Sequence, residues 1–446
     1  MSENIDFLKI IKSRINIVDL ISKDVKLIRS GNNLKGLCPF HNEKTPSFVI
    51  NIAKESFKCF GCGVSGDIFS YIMEKYKVDF KESLRMLANE AGIKLQQNKF
   101  SNEKYDKKTE EKRKYFEIMQ LISEYYHNNL KKILNENDYR TKILKEKKIE
   151  INIIEKYFLG LSSDIDGLAN FLEKKYIDLE LLFNLGIFKK NQYGKPYDMF
   201  TNRLMFPIKD TFERVLGFGG RTLDNKGPKY INSWENSFFK KRSLLYNMNN
   251  LKNLKSRSQD LFMVEGYTDV ISMEENGYSA VAPLGTAVSM DQINLSWKYV
   301  NHPIVLFDGD EAGYKATLRM LDLVLPEIEA EKSLNFIFLE NQDDPDMILK
   351  RPNGKSSLDF YNKNKKSFIE TLIASEVQNN LDTPENILIF KKKLLYKVNR
   401  IANKEVRSLY SYIIKEKIKE TLMTSVKKTN YSYQSINKDN FFIKNN

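Results

Sequence analysis

The sequence predicts an α/β multidomain chain: an N-terminal metal-binding ribbon, a mixed α+β basic subdomain, a parallel-sheet α/β domain and a C-terminal helical subdomain. Three observations point there. Leu261–Val270 reads LFMVEGYTDV and Ile304–Gly313 reads IVLFDGDEAG. Each opens on a short apolar run and stops at carboxylates and glycine, as a buried parallel strand does where its carboxyl end opens onto a site. Cys38, His41, Cys59 and Cys62 form two ligand pairs within one short region. From Met199 the texture turns to strands, and Arg203, Arg221, Lys229, Lys240, Lys241 and Arg242 crowd into a short span.

Taken in order, the chain opens with an amphipathic helix, because Ile5, Leu8, Ile11 and Ile15 recur at helical spacing. A second short helix is expected over Ile17–Ser22. Cys38-x-x-His41 and Cys59-x-x-Cys62 flank two paired strands, Phe48–Ile50 and Phe57–Cys59. Each x-x step is the length of a knuckle turn, so the four side chains are expected to hold one tetrahedral Zn²⁺. Four protein ligands leave no open position, so the zinc is structural and contributes on the order of 10 kcal/mol to local folding. All three cysteines of the chain lie here, and that clustering favours metal over disulfides. Phe48, Phe57 and Phe60, with Lys44, Lys54 and Lys58, offer either a nucleic-acid face or the core of the ribbon. After Asp67, two packing helices run to Gly92. Residues 1–100 are read as the ribbon domain, and residues 101–114, nearly all polar and charged, as a linker or a solvated helix start.

Residues 115–257 are read as the basic subdomain. Tyr115–Leu134 follows a helical pattern, and 135–185 is helical and charged, with Ile153, Tyr157 and Leu161 on one face. His127 and His302 lack partners at ligand spacing and are read as structural. Leu204–Ile208 and Arg214–Phe218 are expected to be the strands of a hairpin. Gly217, Gly219 and Gly220 alone would be turn or bulge residues; the surrounding cations favour a phosphate-binding groove.

Residues 258–350 should form the parallel sheet with crossover helices. Tyr278–Thr286 supplies another apolar run, and Met290–Tyr299 a helix. Asp308 and Asp310 flank Gly309, so both can face one pocket, and Glu265 ends a neighbouring strand. Carboxylates gathered this way repel one another unless a cation is present. Hard oxygen ligands suit two Mg²⁺ or Mn²⁺ ions, which together can promote an in-line displacement by a 3′ hydroxyl. Asp344 and Asp346, in the cluster after Phe336–Leu339, are further candidate ligands. Residues 351–430 read as helical, with Ile387, Phe390, Leu394 and Val398 on one face, and 431–446 as a polar tail. Asn353-Gly354-Lys355-Ser356 lacks the earlier glycine and the strand–loop–helix context of a P-loop, which argues against a fused helicase motor.

The formal net charge of +13 fits a polyanionic partner, although Lys, Asn and Ile are overused along the whole chain. No apolar run approaches the ~18 residues of a membrane span, and the polar start MSENID is no signal peptide. An intracellular protein without a membrane partner is expected.

The stretch EGYTDV…APLGTA…LFDGDEAG…DDPDMIL resembles the Toprim domain of bacterial replicative DNA primases of the DnaG type. CPFHxEKTPSF followed by CFGCGxxGD resembles their zinc ribbon, and RLMFPIKD…GFGGRTL…PKYINS…LLY resembles the basic subdomain of their polymerase core. The resemblance implies a DNA primase: a DNA-directed RNA polymerase making short RNA primers de novo, from ribonucleoside triphosphates on single-stranded DNA, by two-metal nucleotidyl transfer. It implies that the enzyme works in the cytoplasm, at the nucleoid and replication fork. By the same resemblance Glu265, Asp308 and Asp310 are catalytic. Glu265 and Asp308 would hold one ion, Asp308 and Asp310 the second. Arg203, Arg221, Lys229, Tyr230, Asn232 and Lys241 would hold template backbone and incoming triphosphate, and the ribbon would grip the template.

Two departures stand out. Lys147-Lys148 lies where the family usually carries Arg-Gly, and Arg242 lies where it has Gly, so that loop is expected to be looser and more basic. A monomer is expected. Family members continue into a helical domain that docks onto the replicative helicase; nothing here resembles it, so that partner is not assumed. Toprim domains also serve topoisomerases and nucleases, so a DNA-cutting enzyme is the alternative. No segment suggests the separate tyrosine-bearing cleavage domain of a topoisomerase.

Overall fold

The computed structural model describes residues 2–93 and 102–420, apart from positions 42, 77, 137, 147–148, 163–165, 225–226, 255, 257, 286, 341, 378–380 and 382; in its two opening helices, side chains are described from Leu8 and Glu110 onward. Lys147-Lys148, the polar tail 431–446 and part of the expected linker lie outside the described residues. The chain divides into two compact units, residues 1–114 with 212–214, and residues 115–211 with 215–446. Among the described residues, no helix is long and apolar enough to cross a membrane.

In the first unit, β1 (Ile28–Ser30), β2 (Asn33–Gly36), β3 (Phe48–Asn51), β4 (Ser56–Cys59) and β5 (Ser65–Gly66) pair antiparallel in sequence order. The period of two along β3 and β4 turns Phe48, Ile50, Phe57 and Cys59 inward. Phe48 and Phe57 stack at 5.1 Å, and Tyr71 meets Phe57 edge-on at 5.9 Å. Phe48 and Phe57 are therefore core. Phe60, one residue beyond the strand, is 70% exposed, with the Lys58 ammonium 5.3 Å from its ring. Helices Ser2–Arg14, Ile17–Ser22, Ile68–Tyr76 and Phe80–Glu90 complete the unit. Asn16 and Asp79 cap two of them by accepting from Val18 and Glu82 N–H. The last ends at Glu90 with Ala91 as its cap, close to the stop predicted at Gly92, which takes the left-handed conformation. Residues 102–114 are the first turns of helix Asn102–Leu134, the second of the two expectations for this stretch.

In the second unit, β6 (Gly160–Ser162) comes first, followed by the short hairpin β7 (Lys189–Lys190) and β8 (Pro196–Tyr197). An antiparallel sheet has the order β11-β10-β9-β6, with β9 Arg203–Lys209, β10 Val215–Thr222 and β11 Tyr230–Asn232. The predicted hairpin is thus present but longer. Its glycines lie inside β10 rather than in a turn, next to a register shift between Val215 and Gly217. His127 is structural, as expected: its Nδ1 lies 2.7 Å from the Leu159 carbonyl and its ring stacks on Phe158.

A second sheet has the order β12-β14-β13-β15-β16-β17, from β12 (Leu245–Tyr246), β13 (Phe262–Met263), β14 (Ala280–Pro283), β15 (Ile304–Phe307), β16 (Asn335–Phe338) and β17 (Lys366–Ser367). Its four central strands are parallel and its two edges antiparallel. β14 and β15 are buried along their whole length, which explains their unbroken apolar sequence. From β13 the chain crosses to β14 on one side, then returns past β13 to β15 on the other. The strand order therefore reverses between β13 and β15, and at such a point the carboxyl ends of the strands leave a crevice. Helices Gly354–Lys363, Phe368–Glu376 and Pro384–Val398, with helical residues 404–420, follow. Ile387, Phe390, Leu394 and Val398 are buried, as their spacing predicts. Asn353–Ser356 follows the helix Pro345–Leu349 rather than a strand, in keeping with the rejection of a P-loop.

Candidate active site and metal centre

In the ribbon, the four predicted zinc ligands converge. One donor atom from each of Cys38, His41, Cys59 and Cys62 lies within 4.8 Å of the others. Cys38 and Cys62 Sγ are 3.8 Å apart, and Cys59 Sγ is 3.9 Å from His41 Nδ1. Sulfurs on tetrahedral zinc at ~2.3 Å lie about 3.8 Å apart, so the donors fit the ion. The other ring nitrogen, Nε2, is 3.2 Å from Glu43 Oε2. Glu43 also accepts from the Cys38 N–H at 2.7 Å and the Ser47 N–H at 3.0 Å. It thereby orients the imidazole so that Nδ1 faces the sulfurs. The sequence reading missed Glu43, although its place two residues after His41 was a usable signal.

Glu265 and Asp308 sit on the two sides of the strand-order reversal. β13 and β15 pair Met263 with Val305, so both strands end at these carboxylates. The Asp308 N–H donates to Glu265 Oε1 at 3.1 Å. Gly309 is required for space rather than for a turn: a Cβ there would lie 2.9 Å from the Leu339 backbone. Its N–H donates to the Asp343 carbonyl at 2.8 Å, which brings the 343–346 segment to the crevice. Asp310 caps helix Glu311–Val324, accepting from the Gly313 N–H at 2.7 Å, and Asp344 caps Pro345–Leu349, accepting from the Met347 N–H at 2.6 Å. Asp346 pairs with Lys350 at 2.6 Å. Asp343 is buried and held by Arg351, so it takes no part.

The electrostatics of this set are unfavourable without a cation. Burial, then Glu265, Asp344 and Asp310, push Asp308 up to about 7, against the relief that Lys229 gives. Asp308 Oδ1 is buried with no hydrogen-bond partner. Burial and the Asp310 charge hold Glu265 above the usual carboxylate range. Asp269, absent from the predicted set, belongs to it. It is buried on helix Tyr267–Glu275 and accepts from the Gly266 N–H at 3.0 Å. Burial first, then Asp308, Asp344 and Asp346, push it up to about 8. An orphaned buried oxygen among mutually raised carboxylates fits a hard divalent cation. Among the described residues only the ribbon quartet gathers three or more donors to single-ion distance; the acids face one another at longer range.

The basic sheet faces this crevice. Lys229 is exposed and acts electrostatically on Asp308. The Arg221 guanidinium lies 5.5 Å from the Tyr230 ring, and its Nη1 is 3.5 Å from Thr268 Oγ1; the Tyr230 hydroxyl is 3.3 Å from the same oxygen. One predicted contact needs correction. Arg203 is only 6% exposed, and its Nη1 donates to the Pro228 carbonyl at 2.9 Å and the Gly220 carbonyl at 3.3 Å. It braces the backbone beneath Lys229 and cannot reach a ligand. Asn232 accepts the hydroxyl of Tyr267 and pins that ring. The loop bearing Lys241 and Arg242 is not loose either. Gln292 Nε2 donates to the Lys241 carbonyl at 3.0 Å and the Leu244 carbonyl at 2.9 Å, and Ser289 Oγ donates to the Arg242 carbonyl at 2.5 Å.

Family models match three segments: a CHC2 zinc finger over residues 3–103, a DNA primase catalytic core N-terminal domain over 125–252, and a Toprim domain over 260–333. The chain is 32% identical over 429 residues to a DNA primase of Rickettsia typhi, covering 95% of this chain and 70% of the relative. It is 34% identical over 374 residues to a DNA primase of Pasteurella multocida, covering 83% and 63%. Among solved structures, it is similar to the zinc-binding and RNA polymerase domains of the Aquifex aeolicus primase, at 30% identity and a TM-score of 0.59, covering 93% of this chain and 97% of that one. It is also similar to a DnaG primase catalytic domain bound to single-stranded DNA, at 27% identity and a TM-score of 0.61, covering 69% and 99%.

Proposed function

The chain belongs to the DnaG-type family of bacterial DNA primases, and we propose a mechanism in which its two facing charge sets carry out primer synthesis. It is a DNA primase, a DNA-directed RNA polymerase acting on single-stranded DNA. The observation that carries the mechanism is the placement of Glu265 and Asp308 at the strand-order reversal, opposite Lys229 and Arg221 of the basic sheet.

In this reading Glu265, Asp308 and Asp310 hold two Mg²⁺ or Mn²⁺ ions, with Asp269, Asp344 and Asp346 close by. When bound, such ions supply activation of a 3′ hydroxyl and stabilisation of the leaving pyrophosphate. Lys229, Arg221 and Lys241 neutralise the phosphates of ribonucleoside triphosphate and template. Arg203 and Asn232 act behind them as positioning residues. Tyr230 offers an aromatic face beside the Arg221 guanidinium, and Thr268 fixes both. The ribbon's zinc is structural, and Phe60 with Lys58 is its template-facing element. The protein works as a monomer at the replication fork.

A cutting reaction with a tyrosine nucleophile is disfavoured at this crevice. The nearby hydroxyls of Tyr230 and Tyr267 are engaged with Thr268 and Asn232, and burial raises the pKa of both. The test is incorporation of labelled ribonucleotides on single-stranded DNA, with and without Mg²⁺. Short RNA products that need both template and metal are expected. Nicking of plasmid DNA without RNA synthesis would overturn the reading.

A further inference from the structure

The β7–β8 hairpin and Trp234 take no part in the site described above. Lys189 of β7 stands opposite Tyr197 of β8 in the pairing register, and both meet Trp234. The Lys189 ammonium lies 4.9 Å from the indole centroid, and Tyr197 contacts the indole edge-on at 5.9 Å. Lys190 sits 4.9 Å over the Phe183 ring. At the tip, Tyr193 is 77% exposed and Lys195 is open to solvent. The turn is a built one: Asn191 Oδ1 accepts from the N–H groups of Tyr193 and Lys195 at 2.9 and 3.0 Å. Among the described residues, Lys189, Lys190, Lys195, Lys240 and Arg242 have no carboxylate partner. The shelf is therefore cationic and aromatic, with Glu235, which accepts from the Lys241 N–H at 2.9 Å, as the carboxylate at its edge.

Its place in the fold ties it to the reaction. Trp234 follows β11, whose other end presents Tyr230 towards the carboxylates. Four residues span at most about 14 Å, so the shelf lies within a few nucleotides of the crevice. Lys241, depressed chiefly by burial against the relief that Glu235 gives, also feels the Lys189 charge, so the shelf continues the cationic line of the groove. Lysines interleaved with partly open aromatic rings suit single strands, whose bases stack without sequence preference while the phosphates meet the cations.

We propose that Lys189, Lys190, Trp234 and Tyr197 form a second single-stranded DNA subsite, in which a template base stacks on the Trp234 indole and neighbouring phosphates contact the two lysines. The subsite rests on the primase reading, because it extends the same groove.

The chain offers its own probe. It has two tryptophans, and the other, Trp297, is 3% exposed, with its indole N–H donated to the Ser333 carbonyl at 2.9 Å. Titration of the full chain with oligo(dT) should quench Trp234 emission, and anisotropy of a labelled oligo(dT) should follow the same isotherm. Trp234→Ala should weaken binding about 5- to 100-fold, while Trp234→Phe stays within about threefold. Lys189→Gln with Lys190→Gln should lower the log–log salt slope by about 1.4. Unquenched tryptophan at saturating oligonucleotide, or Trp234→Ala binding like wild type, overturns the subsite. Asp308→Asn separates the two readings, since it should lose synthesis and keep the quench. Quenching by a wild-type protein that makes no primers would sink the catalytic reading and leave the subsite standing.

Discussion

Asp269→Asn tests the electrostatics of the crevice with a change of charge at nearly constant shape. Burial and three neighbouring carboxylates hold this carboxyl at about 8 against an ordinary 3.8. The folded chain therefore keeps a proton that the unfolded chain has released. Stability from this group is fully present below about 3.8 and is lost as pH rises towards 8, with a slope of up to about 1.4 kcal/mol per pH unit. Over the whole interval that amounts to about 6 kcal/mol; local relaxation and cations attracted to the cluster reduce it to about 2 kcal/mol. Asparagine removes the charge and can still accept the Gly266 N–H, now 3.0 Å from Asp269 Oδ2. Thermal unfolding of zinc-loaded protein without added Mg²⁺ should show the variant more stable than wild type by about 4 °C near pH 8. The gap should shrink towards about pH 5, and millimolar Mg²⁺ should narrow it by stabilising the wild type. Primer synthesis should fall at least about tenfold, because a carboxylate beside the ligands is lost. A variant destabilised at every pH, or a gap that does not move with pH, would refute the reasoning.

Other predictions test the remaining parts. Asp308→Ala should abolish ribonucleotide incorporation yet leave single-stranded DNA affinity within about twofold, since the phosphate contacts lie on the basic sheet; a large loss of binding in anisotropy would contradict that division. Cys59→Ser, or chelation of one equivalent of zinc, should remove on the order of 10 kcal/mol of metal-linked folding from the ribbon. Proteolysis should then cut residues 28–66 while the second unit resists; an intact ribbon after metal removal would rule out a structural zinc. Phe57→Ala should cost about 3–5 kcal/mol because that ring is 2% exposed. Phe60→Ala should leave stability unchanged and weaken template binding severalfold, so equal melting losses for the two would show the assignment to be mistaken.

Much of this was legible in the sequence because charge and apolarity change abruptly where chemistry begins. Apolar runs ending at Glu265 and Asp308 are what strands buried on both faces look like, and the carboxylates mark their open ends. The period of two also sorts the ribbon aromatics, since Phe57 and Cys59 share one face of β4 and Phe60 lies past its end. What was hidden depends on contacts distant in sequence. Nothing local separates Arg203, whose carbonyl partners come from residues 220 and 228, from Lys229, which faces the crevice. Asp269 reads as an ordinary residue of a helix until the sheet buries it beside Asp308. β17 is two polar residues, Lys366 and Ser367, whose strand character comes entirely from the edge of β16.

The two charge sets come together because of an aromatic seam. Tyr267, the first residue of the helix that carries Thr268 and Asp269, stacks on Phe206 of β9 at 5.0 Å and meets Tyr246 of β12 edge-on at 4.7 Å. The ring reaches the basic sheet only because Gly219 has no side chain; a Cβ there would lie 2.3 Å from it. One glycine inside β10 thus sets how closely the cations on β10 and β11 approach the carboxylates at the ends of β13 and β15. Charges of opposite sign held apart by this seam offset each other only in part, as Lys229 does for Asp308, and need little reorganisation during reaction. That arrangement suits a site whose work is to position phosphates and cations.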